Sequence, residues 1–252
     1  MIKEEKYFIN KVAILTGGSS GIGLNTSIRL AELGAKVYAS YKKGNKKLKK
    51  IENIDFKNNG KIYFIKLKSL KEKDIERFLK KIRKKEKRVH FLVNNIGDAI
   101  KRSNFLNSKE KLWKSSFEVN FFSAVRFTKI FLSLFFIKNV SSIVNVGSIA
   151  GKTGGYGDST HYGSAKAALH GFTAGLAREI IGLRINCVAP SIIDTPFQKR
   201  LSSKKRIKRI IKNTPIQRIG NVNDVSNAIL FLCSNLSTYI NGEIIYISGG
   251  RN

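Results

Sequence analysis

A chain of 252 residues, 42% of them hydrophobic, is long and apolar enough for one large α/β domain or two small ones, which excludes wholesale disorder. Only three prolines occur and no Pro- or Gly/Ser-rich linker divides the chain, so 1–252 reads as a single domain. The formal net charge of +30 admits a polyanion partner, but the cations are 34 Lys and only 13 Arg, scattered with runs at 42–50, 80–87 and 199–212; Arg is the usual source of bidentate base and phosphate contacts, so the excess reads as a solvated surface with no dedicated nucleic-acid partner.

The opening MIKEEKYFINK carries acids and no apolar segment, so no signal peptide is expected. Residues 11–16 (KVAILT) form an apolar run that ends in glycines, 24–33 follow with helical spacing closed by Gly34, and 36–39 are apolar again. Together they predict a βαβ unit. A third strand is expected at 61–67, a basic amphipathic helix at 74–84 and a fourth strand at 89–93, running into Asn94 and Asn95. One long helix should cover about 110–137; its apolar part, 117–137, holds Glu118, Asn120, Arg126 and Lys129 and is too polar to span a membrane. A strand at 142–146 ends at Gly147 and Ser148, a helix covers about 161–181, and a strand follows at 184–188. Residues 191–213 are polar and basic, 224–233 are helical and 243–247 make the last strand. Cys187 and Cys233 lack metal-ligand spacing, so a reduced, cytoplasmic protein without a metal site is expected. Alternating strands and helices imply an α/β fold, a Rossmann-like doubly wound parallel sheet covered on both faces, with ligands at the carboxyl ends of the strands.

Thr16-Gly17-Gly18-Ser19-Ser20-Gly21-Ile22-Gly23 sits between the first strand and first helix. Gly17 can take a backbone conformation that other residues avoid, Gly21 lets the backbone approach a phosphate, and Gly23 lets helix and strand pack closely. The helix N-terminus would then face a pyrophosphate. The spacing is G-x3-G-x-G, and a plain strand–helix turn would also need glycines; the strand before and helix after are the context that the binding motif requires. At the end of the second strand an acid would hydrogen-bond a ribose 2′-hydroxyl and repel a 2′-phosphate. The sequence there is Ala39-Ser40-Tyr41-Lys42-Lys43, with no acid, so Ser40, Lys42 and Lys43 are candidates for holding the 2′-phosphate of NADP(H).

Tyr162 and Lys166 are four apart on an expected helix and share a face. An ammonium and an oxidised nicotinamide beside a tyrosine favour the phenolate and lower its pKa, so Tyr162 could act as acid toward a carbonyl or base toward an alcohol. Ser148 could hydrogen-bond the reacting oxygen, and Asn120 could anchor a water linking Lys166 to solvent. His90 and His170 read as structural, and His161, on another face of the helix from Tyr162, as wall or surface.

TGGSSGIG at 16–23, NNIG at 94–97, Asn120, Ser148, YGSAK at 162–166, INCVAPSIIDTP at 185–196, PIQRIGNVNDVSNAILFLCS and YINGEIIYISGG occur in that order. From about residue 10 to 250 the chain resembles the short-chain dehydrogenase/reductase family. The resemblance implies a catalytic set of Asn120, Ser148, Tyr162 and Lys166, with Lys166 also on the nicotinamide ribose. It places Gly17, Ser19, Ser20, Gly21, Ile22, Gly23, Asn94, Gly97 and Pro190 against the cofactor, and Ile193 and Thr195 against the nicotinamide amide. The sequence departs from the family pattern at Ile96 (usually Ala), Ser191 (usually Gly), Lys68 (usually an acid or Asn near the adenine) and in the Ser148–Tyr162 spacing of 14, one more than in many relatives.

The expected function is NADP(H)-dependent interconversion of a ketone and a secondary alcohol, and the chain resembles most the 3-oxoacyl-acyl-carrier-protein reductase-like members. Sugar or polyol dehydrogenases and secondary-metabolite ketoreductases share the same catalytic set. A non-catalytic cofactor- or nucleic-acid-binding protein would be expected to have lost Tyr162 or Lys166. The resemblance also implies a homo-oligomer, tetramer or dimer, and a substrate lid at 199–212.

Overall fold

Seven short apolar segments become strands of one sheet because a helix follows most of them and carries the chain back across a face. The computed structural model describes residues 6–44 and 46–251; residues 1–5, the start of the stretch expected to lack a signal peptide, lie outside the described residues. The strands are β1 (Val12–Leu15), β2 (Lys36–Tyr41), β3 (Lys61–Lys66), β4 (Phe91–Asn94), β5 (Ser142–Val146), β6 (Arg184–Pro190) and β7 (Ile244–Ile247). All pairs are parallel, in the order β3-β2-β1-β4-β5-β6-β7. The order reverses between β1 and β4, so the chain leaves these neighbours in opposite directions and opens a crevice at their carboxyl ends.

Period-two alternation divides the strand residues between two cores. Ala13, Leu15, Phe91, Val93 and Val144 face α1 (Gly21–Glu32) and α10 (Val222–Cys233), which contribute Leu24, Leu30, Val225 and Ile229. Val12, Ile14, Leu92 and Ile143 face the opposite way, onto Ile75, Phe78, Leu79 and Ile82 of α3 (Glu72–Arg83) and Phe127 and Phe131 of α5 (Ser123–Phe135). Asn221 starts α10 with a reciprocal cap: its side chain accepts from the backbone of Asp224, whose carboxylate accepts from Asn221 N.

The sequence expectation of one helix over 110–137 is corrected. The segment is α4 (Glu110–Phe117), a π-helical turn at Glu118–Phe122, and then α5. At the widened turn the Asn120 side chain donates to Ser116 O, one turn back, and so takes up a carbonyl within the helix itself. The lysine run at 42–50 contains a helix, α2 (Lys46–Glu52), which buries Leu48 and Ile51. The polar segment 191–213 folds into α8 (Pro196–Leu201) and α9 (Lys204–Lys212), capped by Thr195 and Ser203. A short α6 (Ala150–Thr153) precedes the long α7 (Thr160–Glu179). Among the described residues no helix is long and apolar enough to cross a membrane, and no three metal-ligating side chains come together.

Phe131 is fully buried between α3 and the sheet. Phe131→Ala should cost about 3–5 kcal/mol of stability, read as a lower urea midpoint with an unchanged slope.

Candidate active site

Where β1 and β4 part, side chains take over the lost backbone pairing. Thr16 Oγ1 accepts from Asn95 N at 2.9 Å and Ile96 N at 3.1 Å, while Asn95 Nδ2 donates to Thr16 O and Gly17 O. Gly17 stands at φ +69°, in the left-handed region that favours glycine. A Cβ at Gly23 would collide with Gly17 O and Asn95 Nδ2, and one at Gly18 with Ala39 Cβ. The first turn of α1 is thus held against β1 with open backbone N–H groups at Ser20–Gly23 and no acid in that turn, which suits a pyrophosphate. Across the crevice, Thr195 Cγ2 lies 3.3 Å from where a Cβ on Gly21 would stand. Gly21 and Thr195 therefore face each other, with Ile193 buried beside them. Pro190 ends β6, and its carbonyl accepts from Ile149 N at 3.0 Å.

Two expected cofactor residues have other partners. Ser40 is 1% exposed, and its Oγ accepts from Gly17 N at 2.9 Å, so it braces the glycine turn. Lys42 and Lys43, just past β2, are exposed and free to meet an anion. Asn94 is buried; its Nδ2 donates to Thr128 Oγ1 and Asn145 Oδ1, and Asn145 passes the chain on to Thr173. This polar strut ties β4 to β5, α5 and α7. Asn94 Oδ1 is buried and unpartnered.

Tyr162 and Lys166 lie one turn apart on α7, with the ammonium 5.8 Å from the phenol ring centroid. Ser148, just past β5, hydrogen-bonds Tyr162. Burial pushes the Tyr162 phenol up to about 12, the Ser148 hydrogen bond opposes that rise, and Asp98 adds to it. Lys166 is 2% exposed and donates to Val146 O at 2.8 Å. Burial pushes its amine down to about 8. Asn120 Oδ1 accepts from Asp98 N at 3.0 Å, and its Nδ2 donates to Asp98 O at 2.8 Å. Asn120 and Lys166 meet beside Gly97: a Cβ there would stand 3.0 Å from Asn120 Oδ1 and 3.1 Å from Lys166 Nζ. The four residues expected to act together are therefore gathered at the carboxyl ends of β4 and β5, next to the glycine turn.

Two of the three histidines have hydrogen-bond partners in the scaffold. His90 Nδ1 accepts from Val12 N at 3.0 Å and joins β1 to β4. His161, read as wall or surface, is 1% exposed, and its Nε2 pairs with Lys101 O at 3.2 Å. His170 fills the space behind Ser148, its ring leaving no room for a Cβ at Gly147 or Gly151. Sequence reading missed Asp98, whose backbone holds Asn120 and whose carboxylate takes Arg200 of α8. The available signal was its isolation: no other acid occurs between Lys87 and Lys109.

The depressed Lys166 pKa carries a stability cost of definite sign. Between the ordinary value of 10.5 and about 8 the unfolded chain binds this proton and the folded chain does not, so the cost is full below pH 8 and fades as pH rises toward 10.5. Lys166→Met should accordingly raise Tm relative to wild type most at pH 6–8, with the difference shrinking by pH 10, measured by scanning calorimetry.

The family model described as enoyl-(acyl carrier protein) reductase matches residues 17–252. Over 246 residues the chain is 35% identical to the 3-oxoacyl-acyl-carrier-protein reductase FabG of Escherichia coli, covering 96% of this chain and 98% of that protein. FabG of Thermotoga maritima is 34% identical over 248 residues, covering 95% and 97%. Among solved structures, a short-chain dehydrogenase/reductase described as glucose/ribitol dehydrogenase from Brucella melitensis superposes with a TM-score of 0.88 at 27% identity, covering 100% of this chain and 99% of that one. With its ordered motifs, reversed sheet order and gathered Ser, Tyr and Lys, the chain belongs to the short-chain dehydrogenase/reductase family of oxidoreductases.

Proposed function

We propose that the protein is an NADP(H)-dependent reductase of 3-oxoacyl thioesters, with Tyr162 as the acid that protonates the carbonyl oxygen. The observation that carries this reading is Tyr162 bound to Ser148 with the Lys166 ammonium over its ring. The reduced nicotinamide supplies the hydride when bound. A phenol pushed up to about 12 is protonated at neutral pH, so Tyr162 Oη is ready to donate in the reductive direction. Ser148 Oγ can hold the same substrate oxygen and fix its distance to Oη. After donation the phenolate faces the Lys166 ammonium, and an amine pushed down to about 8 can return a proton near neutral pH. Asn120, meeting Lys166 beside Gly97, is placed to hold a water that resupplies Lys166 from solvent.

Three features support the finer parts of the reading. The end of β2 has no acid, while exposed Lys42 and Lys43 follow it, which favours a 2′-phosphate. The relatives' names include carrier-borne 3-oxoacyl substrates, and the exposed face of α9 carries Lys204, Lys205, Lys208, Arg209 and Lys212, suited to an acidic carrier. Exposed Phe122 beside Phe117 and Trp113 on the outer side of α4 and α5, with Leu236 and Tyr239 exposed elsewhere, supports a homo-oligomer.

Tyr162→Phe should lower kcat for acetoacetyl thioesters by about 10²–10⁴ with NADPH binding kept, in a spectrophotometric NADPH-oxidation assay. Wild-type turnover in that variant would sink the mechanism, and preferred turnover of sugar ketones would redirect the substrate. For the cofactor, KM should be lower for NADPH than for NADH. Replacing Lys42 and Lys43 together by Ala should raise the NADPH value about 10-fold or more and leave the NADH value unchanged.

A further inference from the structure

Around the entrance to the site, four arginines from three segments gather near one carboxylate, and two of them pair with it. Arg102 follows β4, Arg206 and Arg209 belong to α9, and Arg251 ends the described chain. Asp158, on the loop between Ser148 and Tyr162, takes Arg102 Nη1 at 2.6 Å and Arg206 Nη1 at 3.4 Å. Arg206 Nε is buried and has no hydrogen-bond partner. Burial and the neighbouring Arg102, Arg209 and Arg251 disfavour its charge. Arg251 lies 4.7 Å over the ring of Tyr156, which itself stands at φ +54° in the same loop as Asp158. Its Nη1 is 3.4 Å from Ser191 Oγ, and Ser191 lines a cavity of about 270 Å³ beneath α9. Four guanidinium groups less one carboxylate leave three positive charges and a desolvated, unanswered donor, an arrangement that a multivalent anion would satisfy.

We propose that Arg102, Arg206 and Arg251 form an anion subsite at the entrance, which takes the phosphate of the arm that carries the acyl thioester. A phosphate fits better than a carboxylate, because several forked guanidinium groups converge and three charges are uncompensated. The subsite bridges the loops on either side of Tyr162 and the lid, since Arg102 Nε also donates to Leu201 O at 2.9 Å. An arm bound there would hold the lid closed over the thioester. The ligand assignment rests on the thioester reading above; the anion subsite itself does not.

The test compares acetoacetyl-4′-phosphopantetheine with acetoacetyl-pantetheine, which differ only in the phosphate. Wild type should prefer the phosphorylated thioester through a lower KM. Arg206→Gln and Arg251→Gln should each lose about 10-fold or more of kcat/KM on the phosphorylated substrate and less than about 2-fold on the other. Equal losses on both substrates, or no preference in wild type, would overturn the assignment. Arg251→Gln leaves the Asp158 ion pairs intact, so it answers the question even where Arg206→Gln folds poorly. Calorimetric titration of the NADPH-saturated protein with inorganic pyrophosphate reads the subsite without turnover. Saturable binding that weakens in both variants supports it even where neither thioester is reduced, a result that removes the thioester reading alone. Equal affinity in all three proteins refutes the subsite. Acetoacetyl-coenzyme A and an acetoacetyl carrier protein, run in parallel, separate the two sources of the arm.

Discussion

The parting of β1 and β4 is the constraint on which the site depends. Two parallel strands that diverge leave backbone donors and acceptors without ladder partners, and buried groups of that kind cost about as much as a lost hydrogen bond. Here Thr16, Asn95 and Ser40 absorb them. Thr16 Oγ1 serves two backbone N–H groups at once, and Asn95 Nδ2 serves two carbonyls. The crevice therefore stays open in a satisfied backbone, and the glycine turn can crowd α1 against β1 without side chains in the way. Asn94 repeats the device one residue earlier and a layer deeper, tying β4 to β5 and α5.

Tyr162 and Lys166 stand on the walls of that crevice, and the low-dielectric setting pushes their proton affinities apart. Free tyrosine and lysine titrate near the same pH. Burial moves Tyr162 up to about 12 and Lys166 down to about 8, because it penalises the anion of one and the cation of the other. The result is a neutral acid beside an amine that exchanges protons near physiological pH. A surface Tyr–Lys pair at the same helical spacing would lack that polarisation, so the spacing specifies the encounter and the burial specifies the chemistry.

Much of this was legible from the chain, and the parts that were not have a common cause. Period-two and period-3.6 patterns located all seven strands and the large helices, because each element buries one face or both. Tyr162, Lys166, Ser148 and Asn120 could be named because a short motif fixes residue types at set separations. The π-helical turn at Glu118–Phe122 left no mark in the pattern: 110–137 keeps helical spacing on both sides, and the widening follows from tertiary bonds between Asn120 and the Asp98 backbone. Ser40 was assigned to a phosphate because it ends β2, yet its hydroxyl points back to Gly17, a choice that only the three-dimensional turn decides. The helices α2, α8 and α9 hid inside lysine runs, where abundant charge masks the few apolar residues, such as Ile210, that anchor them.

The charge imbalance gives the remaining acids unusual structural weight. With 17 acids against 47 bases, most cations have no carboxylate to meet, so the places where acids do appear are informative. Asp98, Asp158 and Asp194 all pair with basic residues of α8 or α9. Surface pairs of this kind contribute little to global stability, but they can bias one local segment between two positions. At Asp98 that bias reaches the chemistry, because its carboxylate holds Arg200 while its backbone N–H and carbonyl hold both ends of the Asn120 amide. Withdrawal of α8 would leave the Asp98 charge unbalanced beside Tyr162, raising the cost of the phenolate further. Arg200 of α8, the Asn120 amide and the Tyr162 phenol are thus linked through one aspartate.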